Sequence, residues 1–317
     1  MSFKNSKVAI VGCGNVGATT AYSIVNQGLC EEIVLIDINK DKAYAEALDM
    51  QHSIFFMNRN IKIGAGDYDD CSDADIVIIT ASAPMAMDSS NRLEMLKPSI
   101  NIMKSIVLNV MSSGFNGIFL IVSNPVDIMS YYVWKLSGLP KNKIIGSGTT
   151  LDSARLCCEL AKIYDLDAKS VEAYIIGEHG DSEVTSWDSA TIGGKKIDAV
   201  LADNAARSKH VTKQSLQEET IKAGWEIFNH KGNTCYGIAA STTAIVKAVL
   251  FNENRIYPVS VCLDGEYGEK QVFLSVPTII NKVGAKEIVE LHLTAEEAKA
   301  FKESAAIMKS YYASLCI

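Results

Sequence analysis

The chain contains no C-x-x-C pair, no H-E-x-x-H, no surplus of positive charge and no apolar run long enough to cross a membrane. Each absence excludes something. The eight cysteines, at 13, 30, 71, 157, 158, 235, 262 and 316, show no framework spacing. They read as reduced thiols, mostly small buried hydrophobes, in a cytoplasmic protein. Five scattered histidines without a Cys/His cluster signal no metal site. Thirty Lys and Arg against 37 Asp and Glu leave a net charge of -7, which argues against nucleic acid or an anionic membrane as partner. Any anionic substrate must then be drawn by local arginines. The polar residues 1–7 run straight into an apolar stretch, which predicts no secretory leader. What is present is ordinary: 317 residues, 48% hydrophobic and 21% charged, enough for two modest domains with a core that needs no staples.

Residues 7–11 form a short apolar run of the kind a buried parallel strand shows, and Gly12-Cys13-Gly14-Asn15-Val16-Gly17 follows at once. A helical stretch over 18–26 comes next. Gly12 allows a tight turn, Gly14 lets backbone approach a pyrophosphate, and Gly17 lets helix pack close to strand. The pyrophosphate would sit on the helix N-terminus, where free N–H groups and the dipole favour negative charge. A second strand over 33–36 ends in Asp37, at the spacing where an acid reaches a ribose 2′-hydroxyl. No arginine follows to welcome a 2′-phosphate, so the pattern reads as NAD rather than NADP. Alternation continues with a helix over 40–55, strands at 61–65 and 75–80, a helix over 93–112 interrupted by Pro98, and strands at 118–122 and 144–145. The fold class is therefore α/β, a doubly wound parallel Rossmann sheet, with ligand bound beyond the carboxyl ends of its strands. From about residue 148 the rhythm changes to a mixed α+β pattern. It has helices at 151–164, 212–229 and 241–251, and strand-like 171–176. A hairpin containing Gly193-Gly194 and antiparallel strands at 258–261 and 272–277 follow, with a last helix opened by the capping pair Thr294 and Glu297. Two domains are expected, a nucleotide-binding one over 1–147 and a substrate-binding one over 148–317.

Within the second half, Ile176-Gly177-Glu178-His179-Gly180-Asp181 stands out beside Asp152 and Arg155. A histidine at a glycine-flanked strand end can donate and accept a proton near neutral pH if a carboxylate fixes its tautomer. Asp152 is the candidate carboxylate. Arg155, three positions on, would share a helix face with it and could hold a carboxylate substrate in its fork. On these residues alone Asp152 can equally be the acidic member of a capping pair with Thr149, and His179 a polar turn residue. The nucleotide-binding pattern upstream favours the chemical reading.

Together, Gly12 to Gly17 with Asp37, Val122-Ser123-Asn124-Pro125-Val126-Asp127, Gly148 to Arg155, Gly177-Glu178-His179-Gly180 and Lys231-Gly232-Asn233-Thr234 resemble the L-lactate/malate dehydrogenase family over essentially the whole chain. The resemblance implies hydride transfer between NADH and a small 2-oxo acid. It makes His179 the acid/base, Asp152 its orienting partner, Arg155 the anchor of the substrate carboxylate and Arg92 an arginine that polarises the carbonyl. It places Asn124, Thr234 and Met85 at the substrate, and Gly12, Gly14, Asn15, Val16, Gly17, Asp37, Ala81, Val122 and Asn124 at the cofactor. It also implies a homo-oligomer, tetramer or dimer.

Two departures from the family pattern bear on specificity and regulation. Where lactate enzymes carry a glutamine and malate enzymes an arginine, this loop reads Met85-Ala86-Met87, about one residue longer, and no basic residue lies between Ala81 and Asn91. A dicarboxylate would meet no counter-charge there, which argues against malate. A methionine pair suits a larger apolar side chain, as in the L-2-hydroxyisocaproate dehydrogenase branch. At about 0.8 kcal/mol per buried methylene, three extra carbons could contribute on the order of 2 kcal/mol. If the methionines face elsewhere, pyruvate remains the substrate. The positions that bind fructose 1,6-bisphosphate in activated bacterial lactate dehydrogenases are here Cys157 and Glu172, so no activation by it is expected. Readings from other classes are a metal-dependent NAD glycosidase, which EDTA would inactivate, and a non-catalytic NADH sensor.

Overall fold

The structure, a computed structural model, describes residues 5–83, 92–203, 209 and 211–314, apart from the side chains of 92–95 and 314. The first half alternates β1 (Lys7–Val11), α1 (Asn15–Gln27), β2 (Glu32–Ile36), α2 (Lys40–Ser53), β3 (Lys62–Ala65), β4 (Ile76–Ile79), α3 (Arg92–Ser112), β5 (Ile118–Ile121), α4 (Val126–Ser137) and β6 (Ile144–Gly146). Strands β1, β4 and β5 are buried at every position, as their apolar runs, broken only by Lys7 at the start of β1, require of strands covered on both faces. They pair in parallel in the order β3-β2-β1-β4-β5-β6, which reverses direction of travel between β1 and β4. That reversal opens a crevice at the carboxyl edge, the place where doubly wound sheets bind ligands.

The second half runs α5 (Thr150–Tyr164), β7 (Val171–Glu172), β8 (Ile175–Ile176), β9 (Val184–Thr185), β10 (Thr191–Ile192), β11 (Lys195–Lys196), α6 (Ile197–Asp203), α7 (Lys213–Lys231), α8 (Tyr236–Leu250), β12 (Arg255–Asp264), β13 (Lys270–Asn281), β14 (Gly284–Ile288) and α9 (Ala295–Ser314). The expected antiparallel strands are present, but they are not a separate sheet. Strand β12 pairs with β6 through Ser260 and Gly146, so β12, β13 and β14 extend the parallel sheet to nine strands. A Cβ at position 146 would lie 2.6 Å from Ser130 Oγ and 2.8 Å from Ser260 Cβ, so glycine allows this close junction. The stretch expected as one strand over 171–176 divides. Strand β7 pairs with β10, whereas β8 pairs with β9.

Helix α8 starts five residues before the expected position, and Gly237 in its first turn packs close: a Cβ there would come within 2.9 Å of Leu151. The last helix opens as expected. Thr294 N–H donates to Glu297 at 2.9 Å and Glu297 N–H to Thr294 Oγ1 at 3.2 Å. One apolar core spans both halves, from Val8 and Ile78 through Val259 and Phe273 to Phe301, and a smaller cluster around Leu156 and Leu160 lies beneath α5. Among the described residues no helix is long and apolar enough to cross a membrane.

Candidate active site

The loop between β1 and α1 has the form its glycines require. Gly12 sits at φ 105°, and a Cβ there would come within 2.6 Å of Ala81 N, so the loop lies directly against the end of β4. A Cβ at Gly17 would overlap the Gly12 carbonyl at 1.8 Å. At Gly14 the opposite holds: among the described residues a Cβ would meet nothing within 4 Å, which leaves backbone open to an approaching group. Gly14 caps α1 without a side-chain hydrogen bond, so the N–H groups of Asn15, Val16 and Gly17 have no side-chain cap to satisfy them. An unfilled space over an uncapped helix start fits a pyrophosphate. Asp37, at the end of β2, accepts Cys13 N–H at 2.6 Å and Asn39 N–H at 2.8 Å, which fixes its carboxylate beside the glycine loop. Both oxygens retain a lone pair for a ribose hydroxyl. Ala81 and Val122 are half-buried at the ends of β4 and β5, and Asn124 follows as an exposed residue before a cis bond to Pro125. Ser123 ties these two ends together by donating to the Ala81 carbonyl at 2.6 Å.

Asp152, Arg155 and His179 come together as their spacing predicts. Ser153 accepts Ile175 N–H at 2.9 Å, which stitches α5 to the strand leading into Gly177 and His179. Asp152 then points one oxygen at His179 Nδ1, 2.6 Å away, and accepts Arg155 Nη1–H on the other at 2.9 Å. The capping alternative does not occur, since the Thr149 hydroxyl donates to the Ile175 carbonyl instead. Burial alone would raise the Asp152 carboxyl, but His179 and then Arg155 outweigh it and hold the acid below its ordinary range. Burial alone would likewise lower His179, yet the Asp152 carboxylate, with Asp127 and Glu183 behind it, outweighs burial and raises the imidazole to about 9. His179 is therefore a charged proton donor at neutral pH, with its side chain still 28% exposed. Arg155 is 18% exposed and has donors left over after its bond to Asp152. Gly224 of α7 faces it: a Cβ at that position would lie 3.4 Å from Arg155 Nη1 and 3.5 Å from Nη2.

Two carboxyls at this site have a role that no local sequence pattern assigns. Asp127, in the first turn of α4, accepts His179 N–H at 2.8 Å and the Ser260 hydroxyl at 2.5 Å. Burial raises it to about 6 against those two bonds. Glu183, four residues past His179, is raised by burial first and by the Asp152 charge second. Asp152, His179 and Glu183 have side-chain ligand atoms within 4.8 Å of one another. Asp152 and His179 already satisfy each other, so the grouping needs no ion to explain it. Glu178 N–H donates to Ser304 of α9 at 2.9 Å. Thr234 is half-buried on the turn into α8, next to Asn233, whose buried Oδ1 has no hydrogen-bond partner among the described residues. The Arg92 side chain and Met85 lie outside the described residues, although the backbone places Arg92 at the start of α3.

Comparison with known proteins decides the family. Residues 6–146 match the lactate/malate dehydrogenase NAD-binding domain, and residues 149–314 match the lactate/malate dehydrogenase α/β C-terminal domain. The chain belongs to the lactate/malate dehydrogenase family. It is 49% identical to L-lactate dehydrogenase 3 of Bacillus thuringiensis subsp. konkukian over 305 residues, 96% of each chain. It is 46% identical to L-lactate dehydrogenase 2 of Bacillus anthracis over 304 residues, again 96% of each. The solved minor L-lactate dehydrogenase of Enterococcus mundtii in its ligand-bound form superposes with a TM-score of 0.95 at 42% identity, covering 99% of this chain and 100% of that one. This family member is an NAD-dependent 2-hydroxy acid oxidoreductase. Bound NAD supplies the hydride acceptor and donor, and the chain's own residues supply everything around it.

Proposed function

We propose that the enzyme interconverts pyruvate and L-lactate. In this reading Arg155 grips the substrate carboxylate with the donors that Asp152 leaves free, which fixes two points of the substrate and hence its handedness. His179 gives its ring proton to the ketone oxygen during reduction and recovers it during oxidation, while Asp152 stabilises the imidazolium before transfer. Arg92 polarises the carbonyl, and Asn124 and Thr234 line the substrate's surroundings. The cofactor lies along Gly12, Gly14, Asn15, Val16, Gly17, Asp37, Ala81 and Val122. The observation that carries this assignment is the Asp152 carboxylate shared between an imidazole at 2.6 Å and a guanidinium at 2.9 Å. The names of the similar Bacillus enzymes support lactate as the hydroxy acid.

A second reading rests on Met85-Ala86-Met87. It makes a branched 2-oxo acid such as 2-oxoisocaproate the better substrate, by roughly ten- to hundredfold. Comparing kcat/KM for pyruvate, 2-oxoisocaproate, phenylpyruvate and oxaloacetate with NADH tests both readings. A clear win for pyruvate supports the first, a win for 2-oxoisocaproate replaces it with the second, and a win for oxaloacetate removes both.

The same proposal takes residues 1–147 as the NAD-binding part and 148–317 as the substrate-binding part, with spans supported by the two matched segments. It places the enzyme in the cytoplasm, where the seven free cysteines among the described residues would stay reduced. It also takes the working form to be a homo-oligomer, tetramer or dimer. Phe55 and Phe56 at 87% and 84% exposed, with Trp225 at 60%, leave apolar surface for subunit contact. Light scattering that returns a monomer mass at micromolar concentration would remove that part of the proposal.

A further inference from the structure

The reading of His179 as proton donor explains its ring, but its backbone is held by a different carboxylate. The Asp127 side chain is buried, at 1% exposure, and has two donors: the His179 N–H at 2.8 Å and the Ser260 hydroxyl at 2.5 Å. These partners come from three distant parts of the chain. Asp127 opens α4 directly beyond Asn124 at the carboxyl end of β5, Ser260 lies in β12, and His179 follows β8. A buried carboxylate is costly unless it is hydrogen-bonded, and a helix first turn further favours its charge. The adjoining backbone is pinned without charge, Glu178 N–H by Ser304 and Gly177 by backbone pairing with Ser275. Asp127 is thus an ionisable anchor for the main chain that carries the imidazole.

We propose that Asp127 is a positioning residue for proton transfer, a single carboxylate that ties the backbone of His179 to the cofactor-facing edge of the sheet and sets a second negative charge against the imidazole. The proposal rests on the reading of His179 as the acid/base. Its electrostatic surroundings are defined. Asp152 of α5, Asp127 and Glu183 face His179, and Arg155 of α5 and Glu178 face Glu183. Glu178 and the Tyr312 phenol of α9 face Asp127. Asp152 addresses the ring and Asp127 the main chain, so the two carboxylates are not redundant. Losing Asp152 would free the ring, whereas losing the charge of Asp127 would leave the ring paired but shift the loop and weaken its hold on the proton.

The test compares the full-length wild type with Asp127→Asn and Ser260→Ala. It uses NADH fluorescence, kcat/KM against pH with pyruvate and 2-oxoisocaproate, and NMR titration of the histidine ring protons. In Asp127→Asn, NADH affinity stays near the wild-type value, kcat falls roughly 10- to 100-fold, and the His179 titration midpoint drops about one pH unit. Ser260→Ala keeps the carboxylate and leaves the His179 midpoint in place. It removes a hydrogen bond to the charged form of Asp127, so the acid limb of kcat/KM moves upward from about 6. A folded Asp127→Asn with unchanged kcat and an unchanged His179 midpoint overturns the proposal. If Asp127→Asn does not fold, Ser260→Ala decides, and an unmoved acid limb overturns it. Should the wild type reduce no 2-oxo acid, the functional reading fails by itself, while the NMR titration still reports whether Asp127 acts on His179.

Discussion

Oδ2 of Asp152 lies 2.6 Å from Nδ1 of His179, so the imidazole cannot change its protonation without feeling this carboxylate. With His179 raised to about 9, reduction of the 2-oxo acid, which needs the protonated ring, should hold through neutral pH and fall as pH rises through about 9. Oxidation of the hydroxy acid needs the free base and should climb over the same interval. Asp152→Asn removes the charge that outweighs burial, so the limb shifts to lower pH and kcat falls about 10²- to 10⁴-fold. Stability follows the same sign. The raised imidazole contributes stabilisation that is complete below the ordinary histidine value and lost as pH passes about 9. A pH–rate profile of wild type and variant in both directions, with thermal melts at about pH 7 and about pH 10, checks each part.

Arg155 is placed for geometry as much as charge. A lysine would keep the positive charge but not the planar fork that holds Asp152 and, in the proposed function, a substrate carboxylate with it. Arg155→Lys should lower kcat/KM by about 100-fold, chiefly through KM, while NADH binding is unchanged. Steady-state kinetics beside NADH fluorescence titration would expose the error if NADH affinity fell in parallel.

Gly224 separates stability from function. A glycine in the interior of a nineteen-residue helix costs about 1 kcal/mol relative to alanine. Here a Cβ would press within 3.4 Å of the Arg155 guanidinium. Gly224→Ala should therefore raise the melting temperature by a few degrees, yet weaken substrate binding because the fork must move. A variant that melts higher and keeps its KM for every 2-oxo acid would show that this face of α7 leaves the anchor alone.

What the sequence reveals about this site follows from distance along the chain. Asp152 and Arg155 are readable because three residues of helix put them on one face, and the Gly12 to Gly17 turn because its glycines are needed within six positions. Asp127 sits in a quoted motif, yet its role depends on Ser260, 133 residues away, and on His179, 52 residues away. Nothing local signals either bond. Glu183 looks like a surface acid by composition, and only its burial beside Asp152 makes it part of the site. The joining of β12 to β6 is hidden for the same reason, because a lone glycine at 146 does not say which strand will approach it.

Cys157 and Glu172 are the residues that the family resemblance sets at the sugar-bisphosphate positions of activated bacterial enzymes, and the fold brings their two segments together. Cys157 Sγ lies 3.5 Å from the Val171 carbonyl, one residue from Glu172. Burial pushes the thiol up to about 11, so at neutral pH it is an uncharged donor turned toward backbone rather than a phosphate ligand. The neighbouring carboxylate would repel a phosphate dianion. Fructose 1,6-bisphosphate should therefore leave the half-saturating substrate concentration where it is, up to millimolar effector. Introducing the missing cation as Cys157→Arg would not create activation, because Glu172 would neutralise it first. Activation by the sugar bisphosphate should require Glu172→His in addition, and a substrate saturation curve that shifts left in the single variant would show that the carboxylate is not the obstacle.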